Sequence, residues 1–289
     1  VHSMFRTTVN SGAAAWWSAG YTGAGVSVAV IDTGVSPVAG LNTAGKVVYG
    51  PDLSLESQNP AFRNLDTNGH GTFMAGLIAG KDSALTAPYA SAPASAYRGM
   101  APDARIVSLK VGTADGGVDV SQVIAAINWV VQHRNDNGLN IRVINLSLGR
   151  PALESFTLDP LCRAVEKAWA RGIVVVTAAG NFGRDNSVGN EGYGTIASPG
   201  NDPYVITVGA MKTVTTPNRG DDLIASYSSK GPTAVDHIAK PDLVAPGNRI
   251  ISALVRGSYL AETYPGNRIG TDYYLSGVTP SASSLYFRL

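Results

Sequence analysis

Thiols are almost absent from this sequence: Cys162 is its single cysteine. One sulfur excludes an intrachain disulfide and a thiolate metal cluster. Cys162 falls on a helical stretch beside Leu161 and reads as a buried structural thiol. Charge is sparse as well. Asp, Glu, Lys and Arg make up 15% of the chain, with 22 basic against 21 acidic residues and a formal net charge of +1. No basic block stands out, so nucleic acid is not an expected partner. Long apolar runs are also missing. The longest, GIVVVTAAG, falls short of the ~20 residues that a bilayer-spanning helix needs, so no membrane partner is expected. The first residues, VHSMFRTT, hold no apolar signal core and begin with Val, so a processed or excised chain is the expectation.

What is present is apolar and rich in glycine. The 289 residues are 44% hydrophobic, enough to build a sizeable core in one large α/β domain or two small ones. Short Val/Ile-rich runs recur: Ser27–Ile31, Arg105–Val111, Arg142–Leu148, Ile173–Ala178 and Tyr204–Val208. Continuous runs of this kind suit parallel strands covered on both faces. Helical patterns lie between them. Val123, Ile124, Ile127, Val130 and Val131 form a 3.6-residue stripe over Val120 to His133, with Asp119 and Gln122 spaced as a capping box. A second helix is predicted over Pro160 to Arg171, capped by Asp159 and closed by Gly172. A third begins near His70, where Ala75, Gly76, Ala79 and Gly80 allow close packing. Strand and helix in alternation imply right-handed crossovers and a doubly wound, mostly parallel sheet with helices on both faces.

Ligands in such sheets bind at the carboxyl ends of the strands. Three strand ends carry polar groups there: Asp32, Ser147 with Gly149, and Asn181. The stretch SYSSKGPT reads as a plain loop. Asp32 alone reads as a turn or cap aspartate. His70 alone reads as a histidine at a helix start, although the glycines on either side leave its ring accessible. His2, His133 and His237 read as solvated. Together, a carboxylate and an imidazole form a chemical pair. The carboxylate holds the ring in one tautomer and stabilises its cation while the other nitrogen takes a proton from a hydroxyl. Asn181 would donate an N–H where charge develops on a carbonyl oxygen.

VAVIDTGV, NGHGTFMAG, VINLSLG, VVTAAGN and KPDLVAPG occur in this order, and together they resemble the subtilisin-like serine peptidases, the subtilases. The resemblance runs from about Trp16 to Gly277 and implies one subtilase-like domain over residues 1–289, a peptidase acting on polypeptide. It assigns the orienting carboxylate to Asp32, the base to His70 and the oxyanion donor to Asn181. It implies that an extended peptide lies as an added strand between two edges. One edge is Val111, Gly112 and Gly116. The other is Ser147, Leu148 and Gly149, beside Ala179 and Gly180. Ala197 would floor the first specificity pocket, and a small neutral floor favours apolar side chains. The resemblance requires no cofactor, though structural calcium is common in the family, and it implies secretion and a monomer. Asp221 and Asp222 read as a solvated loop.

The nucleophile motif departs from the family pattern, Gly-Thr-Ser-Met-Ala after a Leu-Ser-Gly lead-in. Leu275, Ser276 and Gly277 are followed here by Val278, Thr279, Pro280, Ser281 and Ala282. A straight count places Thr279 at the nucleophile, while the alternative register leaves Ser281 as a displaced hydroxyl. Neither reproduces the motif, and the nine residues after Pro280 are too few for the family helix. A truncated or inactive chain is therefore one expectation, and a peptide-binding pseudopeptidase is its functional form. The Asp-Thr-Gly triplet at Asp32 also resembles that of aspartic proteases, which need a second such carboxylate.

Overall fold

The computed structural model describes residues 4–213, 216, 218–270 and 285–289. Thr279 and Ser281 lie outside the described residues. In chain order the helices are α1 (Met4–Asn10), α2 (Ala13–Ser18), α3 (His70–Ala79), α4 (Val120–His133), α5 (Pro160–Ala170) and α6 (Tyr259–Thr263). The first strands are β1 (Ser27–Asp32), β2 (Val47–Asp52), β3 (Arg105–Lys110), β4 (Ile141–Leu146), β5 (Arg150–Pro151), β6 (Val174–Ala178) and β7 (Ala197–Ser198). They are followed by β8 (Ile206–Lys212), β9 (Leu223–Ile224), β10 (Leu243–Pro246), β11 (Ile251–Ala253), β12 (Arg268–Ile269) and β13 (Tyr286–Arg288).

The main sheet runs β10-β8-β6-β4-β1-β3-β2, with β9 joined antiparallel to the β8 edge. Every pair along the main path is parallel. The winding direction reverses around β1, which places the end of that strand where α/β sheets bind ligands. β1 is buried along its whole length because alternate residues serve two layers. Ala29 and Ile31 join Val107, Leu109, Ile144 and Val175 beneath α4 and α5, whereas Val28 and Val30 join Ile106, Ala75 and Ala79 beneath α3.

The helix signals act as their chemistry requires. Asp119 accepts from the Ser121 amide at 2.7 Å while Gln122 reaches back to the Asp119 amide. Asp159 caps α5, Pro160 occupies its first turn, and Gly172 follows it at φ 77°. Gly76 lets α3 approach closely: a Cβ there would lie 2.4 Å from Ser252 Oγ and 2.6 Å from the Tyr97 hydroxyl. Cys162 is fully buried, and burial pushes its thiol well above the usual range. His133 is not simply solvated, since its Nδ1 lies 2.8 Å from Asp136 and its ring stacks on Trp129.

The described residues do not cover the sheet evenly. In register on one face lie Val143 and Val174, then Val176 and Ile206, then Val208 and Leu243. Val174, Ile206 and Leu243 are 43%, 38% and 48% exposed, which is high for a parallel sheet.

Candidate active site

Asp32 closes β1 and is 4% exposed. The Thr33 amide donates to its Oδ1 at 2.8 Å, and Nδ1 of His70 lies 2.8 Å from the same oxygen. His70 opens α3, so the histidine is carried by the first turn of a helix and the carboxylate by a strand end. Glycine makes the junction possible. A Cβ on Gly71 would sit 2.2 Å from the Gly34 carbonyl oxygen and 3.2 Å from Asp32 Cβ. Gly69, at φ 105°, turns the chain into the helix. The His-Gly dipeptide is therefore a steric requirement for bringing the ring to the carboxylate.

Asp32 raises the basicity of His70. Its charge is the largest cause, burial opposes it, and the direct hydrogen bond and then Asp66 add to it, so the imidazole pKa is pushed up to about 9. Nδ1 is engaged by Asp32, and Nε2 has no partner among the described residues. That leaves Nε2 as the nitrogen free to exchange a proton.

The pair opens on a cleft of about 520 Å³. Asp32, His70 and Asn181 share its lining with Gly116, Ser147, Leu148 and Gly149. Both edges and the carboxamide named from the sequence thus meet at one cavity. Val118, Val120, Leu148 and Leu161 make its wall largely apolar.

Val111, Gly112, Ala179, Gly180 and Ala197 are not on that lining. Val111 is fully buried and its amide donates to the Asp32 carbonyl at 2.8 Å, so it anchors the edge from behind. Gly112 packs on Thr33 and bridges to Val118. Ala179 is buried, and its carbonyl accepts from the Ala197 amide at 2.9 Å. Gly180, at φ 107°, would place a Cβ 3.1 Å from Ala197 and 2.8 Å from Ser229 Oγ. Ala197 backs Gly149 as well, at 3.0 Å from a Cβ built there. These residues form the second layer that holds the visible wall.

Several contributors had no role assigned from the sequence, although Thr33 and Asn68 stand within the quoted motifs. Thr33 accepts from the Gly71 amide and reaches Asp66, which ties the strand end to the helix start. Asn68 lines the cleft and donates to the Ala114 carbonyl at 2.8 Å, holding the 112–116 edge. SYSSKGPT is more than a plain loop. Ser229 is buried, its amide donates to the Gly180 carbonyl and its hydroxyl accepts from the Phe182 amide, so it braces both sides of Asn181. No group of three or more His, Cys, Asp or Glu side chains suited to a metal occurs among the described residues. Asp221 is engaged by the Thr216 hydroxyl at 2.8 Å.

A strand-end carboxylate, a helix-borne histidine and a loop carboxamide around a peptide-sized cleft define a serine-peptidase type of site. The model of the Subtilase family matches residues 23–283, and the chain belongs to that family. It is 38% identical over 267 residues to serine protease AprX of Bacillus subtilis (strain 168), an alignment covering 91% of this chain and 55% of AprX. Subtilisin DY of Bacillus licheniformis is 36% identical over 249 residues, covering 86% of this chain and 70% of that protein. A solved structure of a cold adapted subtilisin-like serine proteinase superposes with a TM-score of 0.58 at 32% identity, covering 82% of this chain and 68% of that one. The chain spans about half the length of AprX. Family membership removes the aspartic-protease alternative: Asp32 sits in a parallel sheet and bonds to an imidazole.

Proposed function

We propose that the chain is the peptidase domain of a subtilisin-type serine endopeptidase acting on extended polypeptide. The observation that carries this reading is the 2.8 Å Asp32–His70 contact on the wall of a cleft that Asn181 also lines. Asp32 holds Nδ1 of His70. Nε2 takes the proton of the attacking hydroxyl as its oxygen adds to the scissile carbonyl, then delivers it to the leaving amine. Asn181 donates to the oxygen that becomes negative. The peptide runs as an added strand between Ser147–Gly149 and Gly112–Gly116, and the apolar wall favours an apolar side chain beside the scissile bond. The reaction needs no cofactor, and family membership supports an exported monomer. No helix among the described residues is long and apolar enough to cross a membrane.

The sequence after Gly277 supports a second reading, a groove that binds peptide without cutting it, because Thr279 and Ser281 match the nucleophile by position only. One experiment separates the two. A chromogenic apolar peptide is followed for turnover while a serine-directed phosphonate is tested for stoichiometric labelling. Turnover with labelling supports the peptidase. Peptide binding without either supports the pseudopeptidase, with hydrolysis about 10⁶-fold below an intact triad. No binding and no turnover contradict both.

A further inference from the structure

His70 is placed where its cation should be disfavoured. It is the first residue of α3, and the N-terminus of a helix carries partial positive charge. A general base there needs a compensating anion beyond the one that orients it.

Asp66 supplies the geometry for this. It is 2% exposed, and donors converge on it from both sides of the catalytic junction. Its Oδ1 accepts from the Gly69 amide at 2.7 Å and from the Thr33 hydroxyl at 2.8 Å. Its Oδ2 accepts from the Thr72 amide at 2.7 Å. Gly69 and Thr72 flank His70 along the first turn of the helix, and Thr33 follows Asp32. Thr33 Oγ1, while donating to Asp66, accepts from the Gly71 amide at 2.9 Å. One carboxylate therefore satisfies orphan amides of α3 and fixes the loop that carries Asp32. Burial pushes Asp66 above the usual carboxylate range. The hydrogen bonds from Gly69, Thr72 and Thr33 and a helix N-terminus pull the other way, and each oxygen faces a backbone amide, which can only donate and so favours the charged form.

We propose that Asp66 is a positioning residue for His70: an ionised second carboxylate that closes the start of α3, locks the Asp32 loop to it through Thr33, and offsets the helix dipole so that the imidazole stays basic. The proposal rests on the reading of His70 as the general base. The charged groups facing His70 are Asp32 from the end of β1 and Asp66 from the loop before α3. The same contacts make Asp66 a structural cap, so the decisive readout must be one that a cap alone does not move.

The test is the titration of the His70 ring, followed by NMR on histidine-labelled protein and assigned with His70→Gln. Asp66→Asn keeps the size and removes the charge. Asp66→Ser removes the charge and keeps a side chain able to cap a helix. Asp136→Asn, beside His133, is the control for a distant charge. The expected result is a His70 pKa lowered in both Asp66 variants, on the order of half a unit or more, with the control unchanged. Folded variants whose His70 titrates as in the parent protein would overturn the proposal. So would failure of both variants to fold, because Asp66 would then be a structural cap and nothing more. The readout needs no turnover. A chain that titrates as expected but hydrolyses nothing would leave Asp66 assigned and count against the peptidase reading alone.

Discussion

A methyl group at residue 71 would meet the Gly34 carbonyl oxygen at 2.2 Å, and neither partner is a side chain that can turn away. Gly71→Ala must therefore push the start of α3 off the end of β1, taking His70 from Asp32. Misplacing a base by about 1 Å costs on the order of 10²-fold in rate. The expected outcome is a kcat/KM lower by at least that factor in a protein whose circular dichroism is unchanged, read in the active form of the domain. The same pair sets a pH dependence. As the proposed base, His70 works only when neutral, and Asp32 above all lifts its pKa to about 9. Activity should rise with pH toward about 9 and fall away below it. Stability runs in the opposite sense. A raised folded pKa makes the pair fully stabilising below the unfolded value of about 6.5 and progressively less so as pH climbs toward 9. Urea midpoints for the parent and Asp32→Asn, taken at pH 6 and pH 9.5, should lie further apart at pH 6.

Elements hold the site through a few hubs, and α5 gives the clearest case. Asp159 is fully buried, caps Leu161 at 2.8 Å, pairs with Arg150 at 2.9 Å on the cleft rim, and takes the Ser198 hydroxyl beside Ala197. Asp159→Ala removes the cap and the Ser198 acceptor and leaves Arg150 with Glu154 alone, so a loss of about 2 kcal/mol is expected by urea denaturation. Elements of this kind were legible in the sequence because their signals are local. The capping box of α4, the Asp-Pro start of α5 and the Val/Ile run of β1 each sit within a few residues. Boundaries drifted where the pattern is shared: β8 begins at Ile206 rather than Tyr204, and β4 ends at Leu146, leaving Ser147 and Leu148 free to line the cleft. β2 and β10 are hard to read because Gly50 and Pro51 interrupt VVYGPD after three residues and LVAP is a four-residue run ending in proline. At the site, Asp32, His70 and Asn181 were readable from family motifs. The roles of Thr33 and Ser229 were not, since they depend on contacts across 33 to 47 residues of chain, and Asp66 was not, since its link to the Asp32 loop runs through Thr33.

At the scale of the whole molecule, the described residues pack one half of the sheet on both sides and the other half less fully. Val174, Ile206 and Leu243 stand in adjoining strands on the thinly covered face. Replacing Val174 and Ile206 by Lys should change stability by no more than about 0.5 kcal/mol each, as for surface positions. It should also lower the binding of an apolar dye. A loss of several kcal/mol would mean that the face is covered in solution. The groove lies at the other end of these strands, where β1 reverses the winding, and the functional account depends on an extended chain lying there beside the base. The direct measurement is the imidazole resonance of His70 while an uncharged apolar hexapeptide is titrated into the protein. The account predicts a saturable shift of that resonance, abolished by a bulky residue at Gly149. A His70 signal unmoved at millimolar peptide would contradict it.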